Sequence, residues 1–520
     1  MSWLNTILKW SPWLAVSIGT LLFAIRVWSV SLNPYQVGRV WQTFEIAREL
    51  GRTGGVPWKT EISVMAGGTK PAPLTQEFPV AQYVVLGIRR ITSLDVAAAG
   101  QWVAVLVAIA SVAVWVAYAA EQFPSAAPLL IAALLCLPGF LQFGVLAVPD
   151  SIVFLTNLAG ACLVFGGRRK ESERRIAAGA ALIGISVLVK STAALPAAAF
   201  AVALALDRRW RAITVLTVAM VPGVAWALLA AQQNRQAAEV NEFARVFAIR
   251  EYWWNPRLYI TLWWPRGLAW MLFDVLGAFG AAATGVLLTV AVCRRWWFEA
   301  VVVAGPALAL IIVFNYHSAS HAYYHLLWLP LAVVALCEIA LAWNSGALIR
   351  PAVLAAVSGF MVFGAVERAY GLLERTTGHS SAVAPFLAEP PPKPSARAQQ
   401  ATMVLSRFKD SNQFIAYLGD SGGSAFSTLG LRGWIVSGPM TAEAAAHTHL
   451  PPSVLEVLEA RRVGPAWFRE RLGRGMAAAV IEQQSTWDVP VVLSWAREAG
   501  LEVSDTSYGH VLLVPRPAHQ

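Results

Sequence analysis

Charge is scarce in this sequence. Charged residues make up 13% of the 520 positions and hydrophobic residues 57%, whereas a soluble globular protein carries roughly 25% charged residues. The composition therefore excludes a large soluble enzyme and indicates a polytopic membrane protein. The net charge is +10, but the basic residues cluster in short loops, and runs such as 167–175 have no aromatic residues between them. We expect them to orient the chain and to contact anionic lipid or phosphate, not nucleic acid.

Cysteines are few, and nucleotide-binding motifs are missing. No Walker loop and no Gly-x-Gly-x-x-Gly pattern occurs, so we expect no nucleotide cofactor. The Gly/Ser-rich segment 419–424 is typical of a turn. All the cysteines lie in or at the ends of apolar runs, which predicts small buried side chains and no disulfide framework. They are Cys136, Cys162, Cys293 and Cys337.

Apolar runs of the length that a membrane span needs, about 20 residues, recur along most of the chain. We predict about eleven spans, at 11–30, 99–119, 126–147, 151–166, 176–189, 191–206, 210–231, 267–292, 298–315, 325–343 and 350–367. Lys190 interrupts the stretch 176–206, which we expect to form two short tilted helices. The tryptophans suit the membrane interface, and Trp263 belongs to one such group.

Basic loops set the predicted orientation, because such loops usually stay in the cytoplasm. They are 167–175, 207–211 and 294–295. Counting spans from them places the other polar segments on the opposite side, together with Lys190 and the C-terminus. These segments are 31–98, 148–150, 232–266 and 316–324. In a bacterium the chain would cross the inner membrane, and its C-terminal part would be periplasmic.

The predicted fold class is a polytopic all-α membrane protein with a small C-terminal α/β soluble domain. Residues 1–368 form the transmembrane domain, including a first outer loop at 31–98. In that loop, 37–53 has the spacing of an amphipathic helix, and 79–92 is apolar but too short to span, so we expect both to be interfacial helices. Residues 369–397 form a proline-rich linker, and 398–520 form the α/β domain. Its predicted strands are 413–418, 433–437, 477–481 and 510–514, and its predicted helices are 453–462 and 490–500.

A cluster of histidine and tyrosine separates two apolar runs at residues 315–325. Polar groups at a membrane boundary are costly and usually mark a working site. His317, His321 and His325 are four residues apart, so a helix would align them on one face. Three interpretations stay open: phosphate capture, interfacial anchoring, and a zinc site, although zinc needs further ligands.

Carboxylates and cations elsewhere complete the candidate site. Polar residues recur every three positions in the first outer loop and could share one helix face: Arg39, Gln42, Glu45 and Arg48. Arginine can clamp phosphate and glutamate can accept a proton, but the same pattern fits a solvated face. Glu77 precedes Phe-Pro where the chain re-enters the apolar layer. A carboxylate at that depth is costly, so we expect it either to be paired or to have a functional role.

Two further ionisable residues lie at the ends of predicted spans. Asp150 follows a proline at the start of a span, as a helix N-cap or a site residue would. Lys190 lies among apolar residues, where a lysine is costly unless it meets an anion, so we favour a phosphate contact.

These features together resemble the GT-C class of membrane glycosyltransferases. Within it the chain is similar to bacterial family 39 enzymes, of the dolichyl-phosphate-mannose protein mannosyltransferase and aminoarabinose transferase types. The resemblance covers about residues 10–370. It rests on the long first outer loop and on four motifs: Gln76-Glu-Phe-Pro-Val-Ala-Gln-Tyr83, Pro149-Asp150, Lys190 and His321-Ala-Tyr-Tyr-His-Leu-Leu-Trp-Leu-Pro330. One departure is Gln42, where many relatives carry an acid. Because glutamine cannot act as a base, the catalytic carboxylate would lie elsewhere, at Glu77, Glu45 or Asp150.

The resemblance implies a sugar donor linked to polyprenyl phosphate and an acceptor hydroxyl on a glycan, lipid or protein. A carboxylate, for which Glu77 is the first choice, would deprotonate that hydroxyl, which would displace the phosphate with inversion. Gln42 would position the substrate. The phosphate would be bound by Arg39, Lys190, His321, Tyr324 and His325. No cofactor is implied, although a divalent metal stays possible.

Two rival functions remain open. A lipid-linked sugar transporter or flippase would predict inverted repeats, and none is visible. A catalytically inactive glycolipid-binding relative is compatible with Gln42.

Overall fold

The computed structural model describes residues 2–32, 38–57, 64–65, 77–237, 249, 253–260, 263, 267–343, 396–409, 413–419, 426, 429, 431–436, 463–485 and 487–516. The chain divides into two compact units. The first comprises 1–34, 98–228 and 256–388, and the second 35–97, 229–255 and 389–520. The predicted span at 350–367 and the predicted helix at 453–462 lie outside the described residues.

The α-helices of the described residues are numbered in chain order. They are α1 (Ser2–Leu32), α2 (Gly38–Arg52), α3 (Val80–Thr92), α4 (Val96–Gln122), α5 (Ala127–Leu135), α6 (Pro138–Phe143), α7 (Pro149–Arg169), α8 (Glu173–Val189), α9 (Ala194–Leu206), α10 (Trp210–Ala237), α11 (Gly277–Cys293), α12 (Trp297–Val313), α13 (Asn315–Ser320), α14 (Leu329–Trp343), α15 (Ala396–Leu405), α16 (Pro465–Gly473) and α17 (Val489–Glu498). The strands are β1 (Val64–Met65), β2 (Phe414–Leu418), β3 (Arg432–Val436), β4 (Met476–Glu482), β5 (Leu501–Ser507) and β6 (His510–Pro515).

Helices that are long and apolar enough to cross a membrane run through the first unit. Four of them qualify among the described residues: Trp10–Val27, Val96–Gln122, Pro149–Arg169 and Trp210–Arg235. Shorter apolar helices are Ser191–Leu206, Gly280–Cys293, Trp297–Val313 and Leu329–Trp343. The chain is thus a multi-pass membrane protein, as predicted, but the count of eleven spans is not confirmed.

Two of the predicted spans are broken. The stretch 126–147 forms α5 and α6, and Leu137 between them is extended, with φ −72° and ψ 116°. Pro138 explains the break, because a proline ring disfavours helical geometry in the residue before it. The stretch 267–292 contains a π-helical turn at Trp270–Val275, followed by Gly277 with φ +72°.

The break at Lys190 is confirmed. Helix α8 ends at Val189, and Lys190 is extended, with φ −151° and ψ 114°. A 3₁₀ turn at Ser191–Ala193 then leads into α9. Asp150 lies in the first turn of α7, whose N-cap is Val148, so the N-cap interpretation of Asp150 is wrong.

The histidine/tyrosine segment is not one helix. Helix α13 ends at Ser320, His321 is extended with φ −133° and ψ 92°, and Ala322–Leu327 form a 3₁₀ turn. The prediction that His317, His321 and His325 share one helix face is therefore wrong.

The second unit contains the predicted α/β fold. Helices α2 and α3 occupy the two stretches of the first outer loop that we expected to be helical. All four predicted strands are present in a six-stranded sheet of order β1-β3-β2-β4-β6-β5, and α17 matches the helix predicted at 490–500. Strand β1, from the segment 31–98 that we predicted to be the first outer loop, pairs in parallel with β3.

Alternating residues of β2 enter two hydrophobic clusters, one on each face of the sheet. One cluster contains Leu418 with side chains of α16 and α17, and the other contains Tyr417 with side chains of α15. Helices thus cover both faces, which is why the central parallel strands are almost wholly apolar.

Candidate functional site

A buried ion pair joins two of the residues that the sequence singled out. The Lys190 Nζ lies 2.6 Å from the Asp150 Oδ1, and their side chains are 1% and 0% exposed. Lys190 reaches this place because the chain leaves helical geometry there. Asp150 lies at the N-terminal end of α7, where the helix dipole favours a negative charge. The other carboxylate oxygen of Asp150, Oδ2, has no hydrogen-bond partner among the described residues.

Two tyrosine rings cover the Lys190 ammonium. Its Nζ lies 3.9 Å from the ring centroid of Tyr324 and 5.4 Å from that of Tyr323. A desolvated cation is attracted to the negative face of such rings by up to about 2 kcal/mol. The charge of Lys190 is therefore held by one carboxylate and two aromatic faces.

Two imidazole rings lie next to the tyrosine rings that cover Lys190. The ring of His317 stacks on that of Tyr324, with centroids 5.5 Å apart, and the ring of His321 lies 5.7 Å from that of His317. Burial lowers the pKa of His317 well below its usual value, and the positive charges of His321 and Lys190 lower it further. Burial therefore favours the neutral form of His317. His321 is only partly buried, so its ring is the more accessible of the two.

His325 is occupied by protein groups on both sides. Its Nδ1 accepts a hydrogen bond of 2.9 Å from the Trp328 indole, and its Nε2 lies 2.9 Å from the Ser318 carbonyl oxygen. An indole N–H can only donate and a carbonyl can only accept. His325 is thus the neutral tautomer with its proton on Nε2, which supports the turn and leaves no ring nitrogen for phosphate.

Two side chains for which the sequence predicted no such role hold the 3₁₀ turn and the helix α13 before it. The Asn157 Nδ2 of α7 donates to the Leu327 carbonyl oxygen at 2.7 Å. The buried Trp263 donates from its indole to the Asn315 carbonyl oxygen at 3.0 Å, so it supports the backbone of α13 from inside the protein. A polar asparagine inside an apolar helix could have indicated that Asn157 has a hydrogen-bond partner. Nothing in the sequence distinguishes Trp263 from the other tryptophans.

Residues predicted from the first outer loop belong to the second unit. Glu45 on α2 is 1% exposed, whereas Gln42 on α2 and Glu77, just before α3, are partly exposed. The side chain of Arg39 lies outside what the structure describes.

The structure thus brings Asp150, Lys190, His321 and Tyr324 together in the first unit. Within the described ranges, no group of three or more His, Cys, Asp or Glu side chains could hold a metal ion.

Comparison with known proteins identifies the fold. No protein-family model matches the sequence, and no curated protein matches it. A crystal structure of ArnT from Cupriavidus metallidurans bound to undecaprenyl phosphate is similar with a TM-score of 0.60 and 14% identity, covering 97% of this chain and 99% of that one. The apo structure of the same protein gives 0.57 and 16%, covering 96% and 99%. The resemblance to the GT-C class is therefore confirmed for the fold: the chain folds like ArnT, a GT-C aminoarabinose transferase.

Proposed function

We propose that this protein is a GT-C glycosyltransferase that moves a sugar from a polyprenyl-phosphate donor to an acceptor hydroxyl on the outer face of a bacterial inner membrane. One observation carries the proposal. A lysine is buried in the break between α8 and α9, beside one carboxylate and under two tyrosine rings. The ArnT-like fold supports it, because one of the similar structures has undecaprenyl phosphate bound.

Lys190 is the proposed phosphate-binding cation. In this structure Asp150 is its counter-ion, so an approaching phosphate competes with that carboxylate for the ammonium. The Tyr324 ring lies over the ammonium and the His321 ring lies against that of Tyr324, so the proposal assigns their O–H and N–H groups as further donors to the phosphate. In the proposed reaction the bond between the anomeric carbon and the phosphate oxygen breaks, and the phosphate gains negative charge. A fixed cation stabilises that growing charge more than it stabilises the bound donor, so it lowers the barrier.

Glu77 is the proposed base. Its carboxylate takes the proton of the acceptor hydroxyl, whose oxygen attacks the anomeric carbon with inversion while polyprenyl phosphate leaves. Of the three candidate carboxylates, Asp150 is fully buried and ion-paired, and Glu45 is 1% exposed. Glu77 keeps some exposed surface, which an incoming acceptor requires. Gln42 positions the substrate, and Arg39 adds a second cation for the phosphate.

The assay uses the full chain in nanodiscs with polyprenyl-phosphate sugars extracted from host membranes. Release of free polyprenyl phosphate is followed for the wild type and for Glu77→Gln. Loss of a general base should slow release about 10²- to 10⁴-fold. Glu502→Gln, an exposed acid-to-amide change on β5, is the matched control and should keep the wild-type rate.

Other outcomes separate the alternatives. Full activity of Glu77→Gln would refute the choice of base and favour Asp150 or Glu45. Donor binding without any release would support the inactive glycolipid-binding relative, which Gln42 keeps open. Transfer of the donor between leaflets without release would support a flippase.

A further inference from the structure

Three corners between helices of the first unit are built alike. They join α7 to α8, α9 to α10, and α11 to α12. Each contains a non-glycine residue with positive φ: Glu171 at 52°, Arg208 at 57° and Arg295 at 59°. In each, backbone hydrogen bonds close the preceding helix in a Schellman motif, with Ser172 N donating to Gly167 O, Arg209 N to Leu204 O and Trp296 N to Ala291 O. Glycine is the usual residue at such positions, so charged residues there suggest a role for their side chains.

Ion pairs bring these corners together. Arg168, in the last turn of α7, lies 2.9 Å from Asp207 at the second corner and 2.6 Å from Glu299 after the third (Nε–Oδ2 and Nη1–Oε1). Arg209 of the second corner pairs with Glu173 of the first. The three corners therefore form one surface.

The basic residues of this surface fall into two classes. Some are paired with acidic residues and serve to hold the corners. Five others are exposed and have no ion-pair partner in the described part of the chain. They are Arg174, Arg208, Arg211, Arg294 and Arg295. Among the acidic residues of the corners, Glu171 is exposed and has no ion-pair partner in the described part of the chain. Five exposed arginines therefore face one exposed glutamate, and the accessible charge of this surface is strongly positive.

Aromatic side chains flank the five arginines. Trp210 is 65% exposed and Trp297 is 49% exposed. Both begin helices that follow these corners. Tryptophan is enriched where hydrocarbon meets headgroups, because its ring is apolar and its N–H is polar. We call these five arginines and two tryptophans the corner surface.

We propose that the corner surface binds the phosphate headgroups of anionic phospholipids. A guanidinium group donates two parallel hydrogen bonds to a phosphate and remains charged at every physiological pH. The anionic leaflet of a membrane attracts such clusters, and helices that cross the bilayer fix the corners at its surface.

The corner surface is separate from the proposed donor site. Asp150 lies in the first turn of α7 and Arg168 in the last, and a helix of 21 residues is about 30 Å long. Lipid bound at the corners would therefore act on the stability and orientation of the helices, not on the reacting atoms.

The test titrates the detergent-solubilised full chain with phosphatidylglycerol or phosphatidylcholine and follows bound lipid by native mass spectrometry. The wild type should prefer phosphatidylglycerol, and its affinity should fall as salt rises. Arg294→Gln/Arg295→Gln should weaken phosphatidylglycerol binding about 25-fold, or roughly fivefold for each arginine. Arg497→Gln/Arg516→Gln removes two exposed arginines of the second unit and should change nothing.

Several results would overturn the proposal. These are equal affinity for the two lipids, unchanged binding by the corner variant, or displacement of the lipid by an equal concentration of inorganic phosphate, which would indicate a general anion site. If the corner variant does not fold, Arg174→Gln/Arg211→Gln tests the same surface from within the helices and should also lose about 25-fold.

Discussion

Removing one partner of the Asp150–Lys190 ion pair should strongly destabilise the protein. The two charges are 2.6 Å apart and their side chains are 0% and 1% exposed. Breaking such a pair costs about 3–5 kcal/mol, because the remaining charge stays buried without a counter-ion.

The two single variants, Lys190→Met and Asp150→Asn, should not lose the same amount of stability. Lys190→Met leaves the Asp150 carboxylate without its ammonium, and Oδ2 already has no hydrogen-bond partner among the described residues. Asp150→Asn leaves an amide oxygen near Lys190 and keeps the Tyr324 ring 3.9 Å from the ammonium. We therefore expect Lys190→Met to be the more destabilising change.

The double variant separates structure from function. Asp150→Asn/Lys190→Met contains no buried charge, so it should be more stable than the sum of the single effects predicts, with an interaction energy of about 2–3 kcal/mol. Unfolding is measured for all four proteins in one detergent, alongside binding of polyprenyl phosphate. The double variant should recover stability but not phosphate binding. Additive single effects would refute the ion pair, and retained phosphate binding would refute the role of Lys190.

Two further predictions concern a histidine and a glycine. Burial, followed by the charges of His321 and Lys190, depresses the pKa of His317, so the unfolded chain binds one more proton below about pH 6.5. Stability should therefore decrease as the pH falls below that value, and His317→Phe should reduce this slope in unfolding scans between about pH 5 and 7.5. Gly433 has φ +144°, and a Cβ there would lie 1.8 Å from a carbonyl oxygen of β2. Gly433→Ala should therefore disrupt the sheet, as judged by limited proteolysis, whereas Gly464→Ala, with open space around it, should not.

Much of the fold was predictable, because it depends on patterns within short windows. Hydropathy predicted a multi-pass protein, and short apolar runs predicted four of the six strands of the second unit, all except β1 and β5. Lys190 marked a helix break because a charge in an apolar run is visible. The break before Pro138 had an equally clear signal, but average hydropathy over 126–147 concealed it. The break at His321 lacks a proline or glycine beside it, so it follows from tertiary packing.

The candidate site was predictable only as separate residues. Asp150 and Lys190 are 40 positions apart, and each was noted as an ionisable group that needed a partner. Nothing in the sequence indicates that each is the partner of the other, because this follows from how α7 packs against α8. The roles of Asn157 and Trp263 escaped prediction for the same reason: their partners are backbone carbonyls, which every residue carries.

The breaks in the helices explain how a polar cluster can exist among membrane helices. The π-helical turn at Trp270–Val275 packs against α6 and against the 3₁₀ turn Ala322–Leu327, which also packs against α7. A Cβ at Gly139 would lie 3.0 Å from the Val275 carbonyl oxygen, so a side chain there would crowd this contact. Irregular backbone at membrane depth is stable only where protein or a water-lined cavity satisfies its polar groups. The interruptions therefore support one another around the turn that carries Tyr323 and Tyr324, and that turn places both rings over Lys190.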